Sequence, residues 1–119
     1  MNNSINDTAN IFKALGDPNR LKIIKLLLMT GNNICVGMIA HKLNISQPAI
    51  SQHLKILKNA GLVEAKRMGF HIHYNVKKDA LDNYGINITE LLKTVEVKYK
   101  QNENCKHEGD IDKCYELKK

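Results

Sequence analysis

Three cysteines and a neighbouring histidine carry the soft-ligand chemistry of this chain: Cys35, Cys105, His107 and Cys114. Thiolate and imidazole suit zinc, cadmium, lead or trivalent arsenic. Cys105, His107 and Cys114 fall within ten residues. They could form a three-ligand site if that segment folds back, with Cys35 from the same or another copy as a fourth ligand. A second chemistry is open to the same sulfurs, because Cys105 and Cys114 could close a reversible disulfide or persulfide bridge. The plain alternatives are a terminal segment with idle thiols and, for Cys35, a small buried hydrophobe. An odd cysteine count argues against a disulfide framework, and the N-terminus, without the pattern of a secretory signal, leads to the expectation of a cytoplasmic protein.

A second group of residues suits nucleic acid. Ser46, Gln47, Pro48, Ser51, Gln52, His53 and Lys55 lie in one short stretch, and Arg67 and His71 follow it. Short donors and acceptors can reach base edges, and cations can grip phosphate. Charge is distributed to match. The net charge is +6, and no Asp or Glu occurs from Pro18 to Val63, a stretch that holds Arg20, Lys22, Lys25, Lys42, Lys55 and Lys58. From Asp79 to Lys119 nine acids face seven lysines. A basic middle beside a near-neutral end suits a domain that docks one face on a polyanion, although an idle basic surface has the same composition.

The elements that must position these residues follow from periodicity. Residues 5–15 read as a helix with Ile5, Ala9, Phe12 and Leu15 on its inner side, stopped by Gly16. Asp17 caps the next helix, with Pro18 at its first position, where a missing N–H costs nothing. Its core residues are Leu21, Ile24, Leu27 and Leu28, and Gly31-Asn32-Asn33 ends it. Ile34 to Leu43 reads as a short third helix with Val36, Ile39, Ala40 and Leu43 inward, followed by a turn at Asn44-Ile45. Ser46 caps a fourth helix whose stripe is Ile50, Leu54 and Leu57, and Gly61 ends it. On a wheel at 100° per residue, Pro48, Ser51, Gln52, Lys55 and Asn59 lie opposite that stripe, and Gln47 stands at the N-terminal end. His53 lies on the flank, as a packed histidine or a contact. Two strands, Leu62–Arg67 and His71–Val76, join around Gly69. A last helix is expected from near Asn87 past Tyr99, with Ile88, Leu91, Leu92, Val95 and Tyr99 as its stripe.

Two short helices joined by a tight turn, the second without an acid, are the layout of a DNA-reading helix-turn-helix. The hairpin beside it forms a wing, whose basic residues could enter the minor groove or hold phosphate. It could equally serve only to close the core, with Ile72 and Tyr74 or Val76 inward. At these residues the chain resembles a known family. Phe12-Lys13-Ala14-Leu15-Gly16-Asp17-Pro18-Asn19-Arg20-Leu21 is similar to the opening signature of the ArsR/SmtB family of metal-responsive bacterial and archaeal repressors. Ile45-Ser46-Gln47-Pro48-Ala49-Ile50-Ser51-Gln52-His53-Leu54, with Leu57 and Ala60-Gly61-Leu62-Val63, resembles its recognition helix and exit. The resemblance covers roughly residues 10–77 and implies a homodimer paired through its first and last helices. It implies binding to double-stranded operator DNA and release by an inducer, a thiophilic metal ion or metalloid above all. The pattern is only partly present. Arsenic-sensing members carry Cys-Val-Cys where this chain has Cys35-Val36-Gly37. The zinc site of the last helix is absent, since no histidine occurs between Asn87 and Cys105.

The expectation is therefore a mainly α winged helix-turn-helix with a small β-hairpin, its helices paired into a homodimer. A DNA-binding and dimerising domain would span residues 1–101 and a Cys/His-containing tail residues 102–119. No paired carboxylates, phosphate-cradling loop or H-E-x-x-H run suggests an enzyme. The N-terminus lacks a secretory pattern and no long apolar run would span a membrane. A protein-interaction module that has lost DNA binding is the rival class, and the acid-free fourth helix speaks against it.

Overall fold

The computed structural model describes residues 5–31, 33–83, 85, 87, 90, 92, 93, 97 and 98. The tail at 102–119, with Cys105, His107 and Cys114, lies outside them. So do all of the expected last-helix stripe but Leu92, which is buried in the core. Asn87 Oδ1 accepts the Glu90 N–H at 3.1 Å, the bond expected of a helix N-cap near the position read from sequence.

The elements run α1 (Ile5–Leu15), α2 (Pro18–Met29), β1 (Ile34–Cys35), α3 (Val36–Leu43), α4 (Gln47–Asn59), β2 (Val63–Met68), β3 (His71–Val76) and α5 (Lys78–Asp82). Asp17 caps α2 as its residue type requires, its carboxylate accepting the Arg20 N–H at 3.1 Å. At the other end Gly31 takes φ 80, a conformation that ends a helix without a Cβ clash. Ile23, Ile24, Leu26 and Leu27 of α2 form the centre of the core. Against them pack Ile11, Ala14 and Leu15 of α1, Met38 and Ile39 of α3, the α4 stripe, and Leu62, Val63 and Val76 of the hairpin.

Two sequence expectations change. The inner face of α1 is not Ile5–Ala9–Phe12, since Ile5 is 84% and Phe12 58% exposed, while Ile11, Ala14 and Leu15 are buried. The helix carries two apolar stripes, and periodicity alone does not say which one this chain buries. The third helix is also shorter than read. Ile34 and Cys35 leave it to pair with β3 in the register Ile34↔Tyr74 and Cys35↔His73. The wing is thus a three-stranded antiparallel sheet in the order β1-β3-β2, not a bare hairpin. The short α5, which buries Leu81, was not anticipated from the sequence.

The central strand holds a titrating group. Tyr74 stands between Ile34 and Ala65 across the sheet and packs against the core. Burial pushes its phenol above the ordinary value of 10.0, because the anion is the form that desolvation penalises. The unfolded chain therefore loses this proton first. Its contribution is complete below pH 10.0 and is lost as pH rises through the higher folded value. Urea unfolding at pH 8 and pH 11 should show wild type losing more stability between the two than Tyr74→Phe does. Equal losses would mean that the phenol adds nothing to the alkaline response.

Candidate nucleic-acid interface

The helix-turn-helix is built by two local devices. Asn44 ends α3 in the left-handed region at φ 56, which asparagine tolerates better than most residues. Its N–H donates to His41 O at 3.3 Å and the Ile45 N–H donates to Ala40 O at 3.1 Å. This is the paired hydrogen bonding of a Schellman stop. Two residues later Ser46 opens α4, its Oγ accepting the Ala49 N–H at 3.3 Å. Pro48 occupies the first turn, where its missing N–H is not needed.

Burial then sorts the side chains of α4. Ile50, Leu54 and Leu57 are buried. Ser46, Pro48, Ser51, Gln52, Lys55, Lys58 and Asn59 are exposed, and Gln47 is half-buried. The structure thus puts most of the residues read as DNA contacts on one uncovered, acid-free face. His53 is half-buried on the flank. Its Nδ1 lies 3.4 Å from Arg20 Nη1 and 3.8 Å from Asp17 Oδ2, so its ring is engaged by the first turn of α2.

In the wing, Lys66, Arg67 and Met68 are exposed. Gly69 (φ 68) and Phe70 make a two-residue loop, closed by the register Met68↔His71. Positive φ at the first loop residue alone is the type II′ pattern that suits the twist of a hairpin. His71, expected among the DNA contacts, is only 2% exposed. It shares a face of β3 with the buried His73, whereas Ile72, opposite Arg67, turns to solvent. Strand alternation therefore removes His71 from the contact surface. Phe70 was missed and is 89% exposed at the tip. The signal was available, since the second residue of a two-residue loop has no core to enter.

The basic stretch is only partly a surface. Arg20 donates to main-chain carbonyls of α1, Lys25 Nζ donates to Leu92 O at 2.9 Å, and Lys42 is buried. Lys22, Lys55 and Lys58 remain exposed, with Lys66 and Arg67 on the wing.

The proposed soft-ligand site is not assembled from the described residues. Cys35 is 1% exposed and belongs to the buried core. Among the described residues no group of three His, Cys, Asp or Glu could hold a metal ion. Cys105, His107 and Cys114 lie outside the described residues. Among the described residues no helix is long and apolar enough to cross a membrane.

A capped reading helix with a bare polar face, beside a three-stranded wing, defines a winged helix-turn-helix DNA-binding fold. Comparison with known proteins narrows this. Residues 17–65 match the family model described as bacterial regulatory protein, arsR family. The chain is 43% identical over 88 residues to an uncharacterized HTH-type transcriptional regulator of Methanocaldococcus jannaschii, covering 74% of this chain and 90% of that one. It is 43% identical to the transcriptional repressor SdpR of Bacillus subtilis, covering 62% of this chain and 80% of the relative. It is 36% identical to a cadmium resistance transcriptional regulatory protein CadC homolog of Staphylococcus aureus, covering 59% of this chain and 57% of the relative. A homodimeric winged helix-turn-helix DNA-binding domain from Mycobacterium bovis superposes with a TM-score of 0.58 at 28% identity, covering 77% of this chain and 88% of that one. The chain belongs to the ArsR family of helix-turn-helix transcriptional regulators.

The exit of α4 offers a check on this geometry. Gly61 has φ 80. The Leu62 N–H donates to Leu57 O at 3.0 Å and the Gly61 N–H to Lys58 O at 2.9 Å. A Cβ at this position meets open space but an unfavourable backbone conformation. Gly61→Ala should therefore lower stability by about 1 kcal/mol. Gly61→Asn should lower it less, read as denaturant midpoints at constant m. An alanine variant as stable as wild type would mean that the left-handed stop contributes nothing.

Proposed function

We propose that the chain is a homodimeric repressor that reads operator DNA with the exposed face of α4 and is released by chemistry at its cysteines. The observation that carries the reading is the sorting of α4. Three apolar residues are buried, and Pro48, Ser51, Gln52 and Lys55 stand exposed on a helix without an acid. Ser51 and Gln52 are assigned to base edges, and Lys55 with Arg67 to phosphate. Ser46, Gln47 and Pro48 at the helix N-terminus are assigned to the backbone, where free N–H groups favour phosphate. Homodimerisation is supported by the outward stripe of α1. Ile5 and Phe12 sit two turns apart and are uncovered in one chain. The homodimeric M. bovis neighbour points the same way.

Two DNA measurements test the assignment. Gln52→Ala or Ser51→Ala should cost about 1–3 kcal/mol on the preferred site and relax choice at one base pair. Lys55→Ala or Arg67→Ala should weaken all sequences alike and reduce the salt slope by about one unit. Equal loss of specific and random DNA by the Gln52 variant would reverse the roles.

The inducer reading has two forms. In the first, residues 102–119 are a sensing tail whose Cys105, His107 and Cys114 take zinc, cadmium, lead or trivalent arsenic and lower DNA affinity. The cysteines and the relative named for cadmium resistance support it. The same cysteines suit the second, a thiol switch. There an oxidant removes two electrons from a pair of thiols, two protons leave, and the disulfide holds the regulator in the other of two states. A tenfold change in DNA affinity needs only about 1.4 kcal/mol of difference between the states. Truncation after Asn104, assayed on DNA with zinc, cadmium, arsenite and a mild oxidant, tests both. Metal release kept by the truncated chain sinks the metal tail. Release of the full chain by oxidant alone selects the switch.

A further inference from the structure

We propose that Arg20 is a positioning residue for DNA reading: its guanidinium clamps the flank of α4 through His53 and fixes the roll of the reading helix. The role rests on the reading that α4 contacts DNA. By type and by its place in an acid-free stretch, Arg20 would be taken for a phosphate contact. Its geometry says otherwise. Nε donates to Ala14 O at 2.6 Å and Nη2 lies 3.4 Å from Lys13 O. These carbonyls belong to the last turn of α1, where the helix dipole favours a cation, and Lys13 O also accepts the Gly16 N–H at 3.2 Å. The third arm, Nη1, lies 3.4 Å from His53 Nδ1 in the middle of α4. In the tautomer whose proton sits on Nε2, Nδ1 is free to accept from that arm. Asp17 Oδ2, which caps the Arg20 N–H at 3.1 Å, lies 3.8 Å from the same ring nitrogen. One planar group thus ties together the end of α1, the start of α2 and the centre of α4.

The buried stripe of α4 sets how deep the helix sits but leaves its rotation weakly held. The stripe is narrow, three buried residues on a helix of thirteen. Side-chain tips lie about 5–6 Å from a helix axis, so a roll of about 10° moves them by about 1 Å. Recognition geometry fails at displacements of that size. His53 adjoins Gln52 in the chain, so a lateral tie at His53 acts directly on the angle at which Gln52 and Ser51 leave the helix. Lysine cannot replace the guanidinium, because one ammonium on a flexible stem does not span three acceptors in a plane.

The test uses the full chain and duplexes that wild type selects from a random pool. Arg20→Ala and Arg20→Lys should each lower affinity for the selected site about tenfold. Random duplex should change less than about twofold, and the slope against salt should stay that of wild type. His53→Leu removes only the α4 arm and leaves the α1 carbonyls held. It should lose the same discrimination, and the double variant should be no weaker than Arg20→Ala alone. Equal losses on both DNAs with a flatter salt slope would make Arg20 a phosphate contact and overturn the proposal. So would site affinity within about twofold of wild type in both Arg20→Ala and His53→Leu. If Arg20→Ala does not fold, His53→Leu decides alone, since it keeps both α1 contacts. A wild-type chain that selects no sequence refutes the reading of α4 itself, and this role falls with it.

Discussion

The fold depends on holding α4 by one face while its opposite face stays bare. Ile50, Leu54 and Leu57 are buried against α2 and the hairpin residues Leu62 and Val63. Burying an aliphatic side chain of this size is favourable by about 1.5–3 kcal/mol. Three of them on thirteen residues leave no surplus for misplacement. The helix is therefore also bounded. Asn44 and Ser46 set where it starts, and Gly61 sets where it stops. A one-residue slip would turn the stripe by 100° and put Ser51 or Leu57 on the wrong side. Caps and stripe together hold Ser51, Gln52 and Lys55 in register on the open face.

The basic residues divide between structure and surface. A cation near the end of a helix satisfies carbonyls that have no helical partner, and Arg20 does this for α1. Lys25 reaches Leu92 O and Lys42 is enclosed. The absence of acids from Pro18 to Val63 therefore does not give a uniform positive face. Main-chain carbonyls hold Arg20 and Lys25, and within that stretch Lys22, Lys55 and Lys58 are the exposed cations, with Lys66 and Arg67 on the wing.

Much of this was legible from residue order. α2, α4 and β3 carry strong local signals: Asp17-Pro18, Ser46 with Pro48, Gly61, and a hairpin around Gly69. Their bounds follow those signals closely. What was hidden depends on partners distant in sequence. Ile34-Cys35 is too short to show a period, and it is a strand only because Tyr74 and His73 lie alongside. The two apolar stripes of α1 compete equally in the sequence, and the packing of α2 decides which is buried. His71 looked like a wing contact because it is polar and near the tip, but its place in the alternation of a central strand turns it inward. Arg20 looked like surface charge because nothing local reveals that two carbonyls and a histidine await it. The family was readable because its signatures sit in the capped, locally specified parts of the chain.

Cys35 occupies the point where these parts meet. It is the last residue of β1 and the N-cap position of α3. In the sheet it stands opposite His73, which in turn stands opposite Lys66 of β2. Directly opposed residues share a face and lie close enough for one to displace the other. A change in volume or bonding at this sulfur therefore acts on two elements at once. Through β3 it bears on the strand pair that carries Arg67 and Phe70. Through the first turn of α3 it bears on the helix that leads into Asn44, Ser46 and α4. A close-packed interior resolves such a disturbance by moving whole elements rather than by absorbing it locally. Cys35 is thus tied by packing to both the wing and the helix-turn-helix.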